Sequence, residues 1–207
     1  MADRPKMASL AALASTGASS SNSALVEWAR TQWRKGRGLM QVAPGIYLSN
    51  KQAAADAELL ARNGITAVCA IGARPHGHPG LVYHHVRVED DGDSSMLPFL
   101  EASCDFIHTQ ASRGAVLVHC KGGINRSASL LVAYLMKYES LTPAEAFEVC
   151  SLAQPAARCP ENFQRDLKAW AQLAKQQEAV VEDNDAEGGG GSDSEQMQSL
   201  GSQDLRV

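Results

Sequence analysis

A chain of 207 residues with 44% hydrophobic content can bury one good core, and its polar ends leave little material for a second. No apolar stretch approaches the roughly 18 residues a membrane-crossing helix needs, so no transmembrane segment is expected. The net charge of -4 is unevenly spread: residues 176–207 hold eight acids and one base, which leaves fifteen acids against eighteen bases before them, a mildly basic body suited to an anionic substrate.

Residues 1–24 read as a disordered segment, since Ala8 to Ala24 is nearly all Ala, Ser, Gly and Leu and too poor in large side chains to offset its ordering entropy. The acid-free, Ser-rich stretch 4–26, with Arg4 and Lys6, also fits the composition of an organelle transit peptide. A short basic helix is expected within 25–38. Leu25, Trp28 and Ala29 share one side of it and Arg30, Arg34, Lys35 and Arg37 follow, which suits a cap packed on the domain better than a membrane or partner helix.

The folded part spans 39–175. Strands at about 46–48, 67–71, 82–88 and 115–119 alternate with helices, which argues for a single α/β domain with a central, mostly parallel twisted sheet flanked by helices. Loops at the carboxyl ends of such strands carry the site. The run Ala115-Val116-Leu117-Val118 is short and wholly apolar, as a buried parallel strand should be. Ser127 to Tyr138 reads as a helix, with Leu131 and Leu135 one turn apart. Thr142-Pro143-Ala144-Glu145 is a capping box with proline at the first helical position, opening a helix that buries Phe147 and Val149 or Cys150. Pro160 opens the last helix, with Phe163, Leu167, Trp170 and Ala174 at helical spacing.

Residues 176–207 read as a disordered acidic tail. Asp183 to Gly188 imitates the first half of an EF-hand loop, but Ser194 stands where a bidentate Glu is needed, so calcium is not expected. Ser192, with Glu195 three residues on, is at most a kinase acceptor.

The five cysteines, Cys69, Cys104, Cys120, Cys150 and Cys159, are odd in number and form no close pairs, which points to a reducing compartment, cytoplasm or nucleus, or an organelle if 4–26 is a transit peptide. Cys104 and Cys150 fall at apolar helical positions, as small core residues do. Cys69, on a neighbouring strand, is the candidate to trap an oxidised Cys120 as a disulfide. His76, His78, His84 and His85 lack a cysteine or acid at ligand spacing, so loop and strand surface is the better account than zinc.

His119-Cys120-Lys121-Gly122-Gly123-Ile124-Asn125-Arg126-Ser127 joins the apolar strand to the helix that follows. A loop wrapped around a helix N-terminus aims several N–H groups at one point, where the helix dipole also favours negative charge. Residues 121–126, Lys121, Gly122, Gly123, Ile124, Asn125 and Arg126, are thus expected to cradle a phosphate. Amides, dipole and guanidinium together lower a thiol's pKa, so Cys120 is the expected nucleophile. Arg126 offers a planar fork for two phosphoryl oxygens, which lysine cannot match. Gly122 and Gly123 are expected to turn with φ > 0, and Ser127 to donate to the sulfur.

The pattern His-Cys, five residues, then Arg-Ser resembles the signature of the cysteine-based protein tyrosine phosphatases. Arg126-Ser-Ala-Ser-Leu-Leu-Val-Ala-Tyr-Leu-Met-Lys137 is similar to the run that follows the loop in the dual-specificity branch. Pro44-Gly-Ile-Tyr-Leu-Ser49 with Asn63-Gly-Ile-Thr66 resembles that branch's opening strand and second strand, and Tyr83-His-His-Val-Arg-Val-Glu-Asp90 the strand leading to its acid loop. The similarity covers about 39–173. It implies a protein tyrosine phosphatase-like fold and hydrolysis of phosphotyrosine and phosphoserine or phosphothreonine in a phosphorylated protein partner through a cysteinyl-phosphate. It implies no cofactor and no metal, and no nucleic-acid partner is expected. His119 would fix the loop by hydrogen bonds. The general acid lies about thirty residues ahead of the nucleophile, among Asp90, Asp91 and Asp93, with Asp90 preferred.

Two positions depart from the family: Gly122 where many members carry Ala, and Asn125 where Ser is commoner. Asn125 also occurs in relatives that act on RNA 5′-phosphates, while Ile124 stands where inositol-lipid phosphatases place a second base. An RNA or inositol-lipid phosphatase with the same chemistry, or a phosphosite-binding adaptor, are the alternatives.

Overall fold

The computed structural model describes residues 25–29 and 39–173. The expectations for 1–24 and 30–38, the transit-peptide reading of 4–26, and the acidic tail with its EF-hand mimic and Ser192 lie outside the described residues, as does Ala174. Helix α1 (25–29) buries Leu25, Val26 and Ala29 in the main core, with Trp28 half-buried against it. The described part of the helix expected within 25–38 thus packs on the domain, while its basic residues lie outside the described residues.

Strand β1 (Met40–Ala43) was not visible in the strand pattern above. It pairs antiparallel with β2 (Ile46–Asn50), Ala43 opposite Ile46, so Pro44-Gly45 is a two-residue hairpin turn. Gly45 has φ 73°, which a type II turn requires after proline. Two short helices follow, α2 (Lys51–Ala55) and α3 (Ala57–Arg62), each begun by a side-chain cap: Asn50 Oδ1 accepts from the Ala53 N–H at 3.0 Å and Asp56 Oδ1 from the Leu59 N–H at 2.9 Å.

β3 (Ile65–Ile71) and β4 (Val82–Val86) pair in parallel, β4 stopping two residues short of the expected end although Val88 remains buried. α4 (Leu97–Ala111) lacks a cap of its own. Asp166 supplies it from the last helix, accepting from the Met96 N–H at 2.6 Å and the Ser95 hydroxyl at 2.9 Å. β5 (Ala115–Cys120) is buried at every position, and the sheet order β1-β2-β5-β3-β4 sets it between two parallel neighbours. A strand so placed has to be apolar on both faces.

α5 (Arg126–Tyr138) is buried without interruption from Arg126 to Leu135 because it packs between α4 and α6 (Pro143–Ala153) against the sheet. The capping box of α6 forms as read, Glu145 Oε2 accepting from the Thr142 N–H at 2.8 Å. Val149 and Cys150 are both fully buried there, with Ala146, while Phe147 is only half-buried; its apolar neighbours face the groove between α6 and the last helix, α7 (161–173). Strand alternation divides the core. Val116, Val118 and Cys120 face α4, α5 and α6, whereas Ala115 and Leu117 face α2 and α3.

Four parallel strands therefore end at one edge of the sheet. The residues just beyond those ends are Lys51 after β2, Gly72 after β3, Glu89 and Asp90 beyond β4, and Lys121 to Asn125 after β5. This is where an open α/β sheet binds ligands.

Candidate active site

The loop from Lys121 to Asn125 is shaped by what lies behind it. A Cβ on Gly123, at φ 69°, would sit 2.6 Å from the Ser49 carbonyl oxygen and 3.0 Å from the Asn50 nitrogen, so glycine is required twice over. Gly122 is a correction to the sequence reading. Its φ is not positive, and a Cβ there would meet only Ile124 Cδ1 at 3.7 Å, which explains how relatives can carry alanine. The loop's carbonyls are held from outside: Ile124 O accepts from the Arg158 N–H at 3.0 Å, and Asn125 O from the Ser129 N–H and hydroxyl, each at 2.9 Å. With the carbonyls turned outward, amides are left to face inward.

They face Cys120. Its Sγ accepts from the Gly123 N–H at 3.2 Å and lies 3.2 Å from the Ser127 Oγ, itself fully buried. Burial by itself would raise the thiol's pKa, but hydrogen bonds from the Ser127 hydroxyl and from the Ser127, Ile124 and Gly123 N–H groups outweigh it, and the net shift is downward. The other cysteines lack this. Cys104 is pushed up to about 12 by burial, and Cys69 and Cys150 further. Cys69 pairs in register with Val118, two residues short of Cys120 and on the same buried face of the sheet.

Arg126 is 5% exposed, an unusual burial for a guanidinium. One terminal nitrogen donates to the Val88 carbonyl at 3.0 Å, and its Nε lies 3.8 Å from Asp90 Oδ2 without a hydrogen bond among the described residues. Gly72, which belongs to no motif in the sequence, lies against it. At φ 64° this glycine lies flat under the guanidinium, where a Cβ would stand 1.8 Å from a terminal nitrogen. Only the backbone twist at the end of β3, signalled by the Ile71-Gly72 junction, could have suggested it.

Asp90 sits at the rim, where Asn125 donates through Nδ2 to both carboxylate oxygens at 3.3 and 3.2 Å. Asparagine is a common helix cap. Here its side chain leaves the α5 N-terminus uncapped and goes to Asp90 instead. Asp91 differs: it is fully exposed and accepts from the Ser94 N–H, the Ser94 hydroxyl and the Asp93 N–H, bonds that hold its carboxyl down to about 2. Asp93 is exposed.

His119 is fully buried and, by alternation along β5, points to the sheet face opposite Cys120. It donates through Nδ1 to the Cys120 carbonyl at 3.4 Å, and burial, the largest cause, takes its pKa down to about 4. A neutral imidazole on the far face can hold the loop but cannot reach the sulfur. His76 and His78 stack at 5.9 Å and tie the β3–β4 loop to α2 by donating to the Lys51 and Ala54 carbonyls at 3.2 and 3.1 Å. Among the described residues no three His, Cys, Asp or Glu side chains gather as a metal-binding set.

The chain was compared with known proteins. Residues 46–173 match the family model for the dual specificity phosphatase catalytic domain. Human dual specificity phosphatase 28 is 36% identical over 145 residues, covering 69% of this chain and 79% of the relative. Rat dual specificity protein phosphatase 12 is 35% identical over 137 residues, 63% of this chain and 40% of the relative. Among solved structures, that of human DUSP28 superimposes with a TM-score of 0.63 at 32% identity, over 66% of this chain and 98% of that one. A match over this much of the chain, on a sheet whose strand ends converge on the Cys120 loop, places the protein in the dual specificity phosphatase family.

Proposed function

We propose that this chain hydrolyses phosphotyrosine and phosphoserine or phosphothreonine in proteins through a cysteinyl-phosphate intermediate. The observation that carries the reading is the buried Cys120 thiol, shifted downward by the hydroxyl and N–H groups that converge on it, with the buried Arg126 at the far end of the same loop. In the first step the Cys120 thiolate attacks phosphorus, the bond to the leaving oxygen breaks, and Asp90 gives that oxygen its proton. Arg126 and the loop amides hold the three equatorial oxygens as charge spreads over them. In the second step water attacks phosphorus, Asp90 takes its proton back, and Cys120 leaves as thiolate with the Ser127 hydroxyl donating to it.

Asn125 is engaged with Asp90 through its side chain, a use that needs no nucleotide and supports a protein substrate over an RNA 5′-phosphate. The test is turnover of a panel of phosphotyrosine and phosphothreonine peptides, inositol phosphates and 5′-phosphorylated RNA by the full chain and by Cys120→Ser. The expected result is hydrolysis of both peptide classes, abolished in the variant while peptide binding persists. Comparable turnover by Cys120→Ser would overturn the mechanism, and a dominant preference for RNA or inositol phosphate would overturn the substrate class.

A further inference from the structure

The segment that carries Asp90 is fixed at both ends and exposed between them. Before it, Val88 is buried and its carbonyl accepts from the Arg126 guanidinium at 3.0 Å. Residues 89–93 are exposed, and the chain bends at Gly92 with φ 87°. Beyond them the ties come from α7. Asn162 Nδ2 donates to the Ser94 carbonyl at 2.8 Å, and the Asp166 carboxylate accepts from the Ser95 hydroxyl at 2.9 Å and the Met96 N–H at 2.6 Å. Asp91 closes only a turn inside the segment, on Ser94.

α7 is a firm anchor for these ties. Phe163 and Leu167, one turn apart, are buried in the main core, and Asn162 and Asp166 each precede one of them on the neighbouring stripe of the helix. Capping α4 explains the bond to Met96, since a helix start needs an acceptor for its first N–H groups. It does not explain the bond to Ser94, which lies outside that helix on the side of Asp90. Asn162 is 4% exposed and its Oδ1 is without a hydrogen bond among the described residues, an arrangement that costs free energy, so the bond to Ser94 is what its amide contributes. Asn125 meets the Asp90 carboxylate, but a bond to a side chain does not fix the backbone that carries it. An exposed segment released at one end regains conformational freedom.

We infer that Asn162 and Asp166 are positioning residues for the general acid: from α7 they hold Ser94, Ser95 and Met96, and so keep Asp90 at the rim of the catalytic loop before a substrate arrives. The inference rests on the reading of Asp90 as the acid and adds that the last helix, remote in sequence from the signature loop, sets how well the leaving group is protonated.

The test compares kcat of the full chain on two substrates. One is a phosphothreonine peptide, whose leaving oxygen needs a proton, and the other an aryl phosphate with an electron-withdrawing ring, whose leaving oxygen hardly does. Asp166→Ala is expected to lower peptide turnover by about tenfold or more and aryl phosphate turnover by less than about twofold, as for a reacting group moved slightly out of place. Asn162→Ala should act in the same direction. Asp166→Asn keeps the side chain's volume and one acceptor oxygen, and should show the same pattern at smaller size. Circular dichroism checks folding, and should Asp166→Ala not fold, Asp166→Asn and Asn162→Ala carry the comparison. In an Asp90→Asn background Asp166→Ala should add nothing, because the group it positions is gone. Equal losses on both substrates, no loss in the folded variants, or a loss that persists in the Asp90→Asn background would overturn the inference. Two controls keep its failure apart from that of the underlying reading. Without aryl phosphate turnover by the unsubstituted protein the phosphatase reading fails, and without a leaving-group-dependent loss in Asp90→Asn alone the acid lies elsewhere.

Discussion

Gly72 and Arg126 are in such close contact that the glycine's missing side chain is what leaves room for the guanidinium. Gly72→Ala should therefore displace Arg126 while leaving the cysteine and the loop amides unchanged in sequence. The positive φ at 72 adds backbone strain. Turnover should fall by about 10² or more, as expected when a transition-state donor is lost, with circular dichroism little changed. Near-normal kcat/KM in a folded Gly72→Ala protein would show that Arg126 is positioned by something else.

The two loop glycines should behave oppositely. Gly122→Ala makes only ordinary van der Waals contact with Ile124 and should leave activity and melting temperature close to the parent's. Gly123→Ala drives a methyl into the Ser49 and Asn50 backbone at a left-handed φ, and should cost at least about 2 kcal/mol in urea denaturation together with most of the activity.

Among the three aspartates the leaving group is the probe. Asp90→Asn should slow hydrolysis of a phosphopeptide by about 10² to 10⁴, yet affect an activated aryl phosphate far less, because that leaving group hardly needs a proton. Asp91→Asn should do little to either, since Asp91 already spends its oxygens on Ser94 and Asp93. Asn125→Ala frees Asp90 from its two bonds and should reproduce part of the leaving-group-dependent loss. A large loss in Asp91→Asn alone would move the acid role.

Ser127→Ala removes the hydroxyl that lies against the sulfur and should move the Cys120 pKa upward, read as a shift of the pH profile of iodoacetamide inactivation toward higher pH. Turnover should fall by roughly tenfold to a hundredfold, the worth of one hydrogen bond to a charged group. An unshifted profile would assign the acidity to the backbone amides alone.

His119 ties stability to pH. Its folded pKa, about 4, lies below the ordinary 6.5 because the buried ring resists charging. Between those values the unfolded chain binds a proton that the folded chain does not, so this contribution is complete above pH 6.5 and declines as pH falls toward 4, by at most about 1.4 kcal/mol per unit. Urea denaturation at successive pH values should show that slope, and His119→Gln should flatten it whatever its effect on absolute stability.

Much of this was legible in the sequence because the informative residues are close together in it. The apolar strand 115–120, the five-residue loop 121–125 and the buried helix after it are contiguous, and their roles follow from local spacing. What escaped depends on distant approach. β1 is four residues long and betrays itself only by the Pro44-Gly45 turn, which was read as part of the next strand. Gly72 matters because a guanidinium more than fifty residues later lies on it. The difference between Gly122 and Gly123 lies in the side chain of Ile124 at van der Waals distance from the first and the backbone of β2 directly behind the second. Likewise the histidines at 76 and 78, dismissed as surface, brace the loop that carries Arg74.

The outward-turned carbonyls of the catalytic loop have a consequence for how the protein is made. Ile124 is held by the Arg158 N–H, and Gly123 by the Gln154 side chain, so the amides converge on Cys120 only after the chain has been synthesised well past its own signature. A nascent polypeptide still emerging from the ribosome, or a fragment ending before Arg158, carries the whole motif yet should hold Cys120 as an ordinary thiol with a pKa of about 8.5. Reactivity toward phosphate esters and vulnerability to oxidants thus arrive together, with the finished domain.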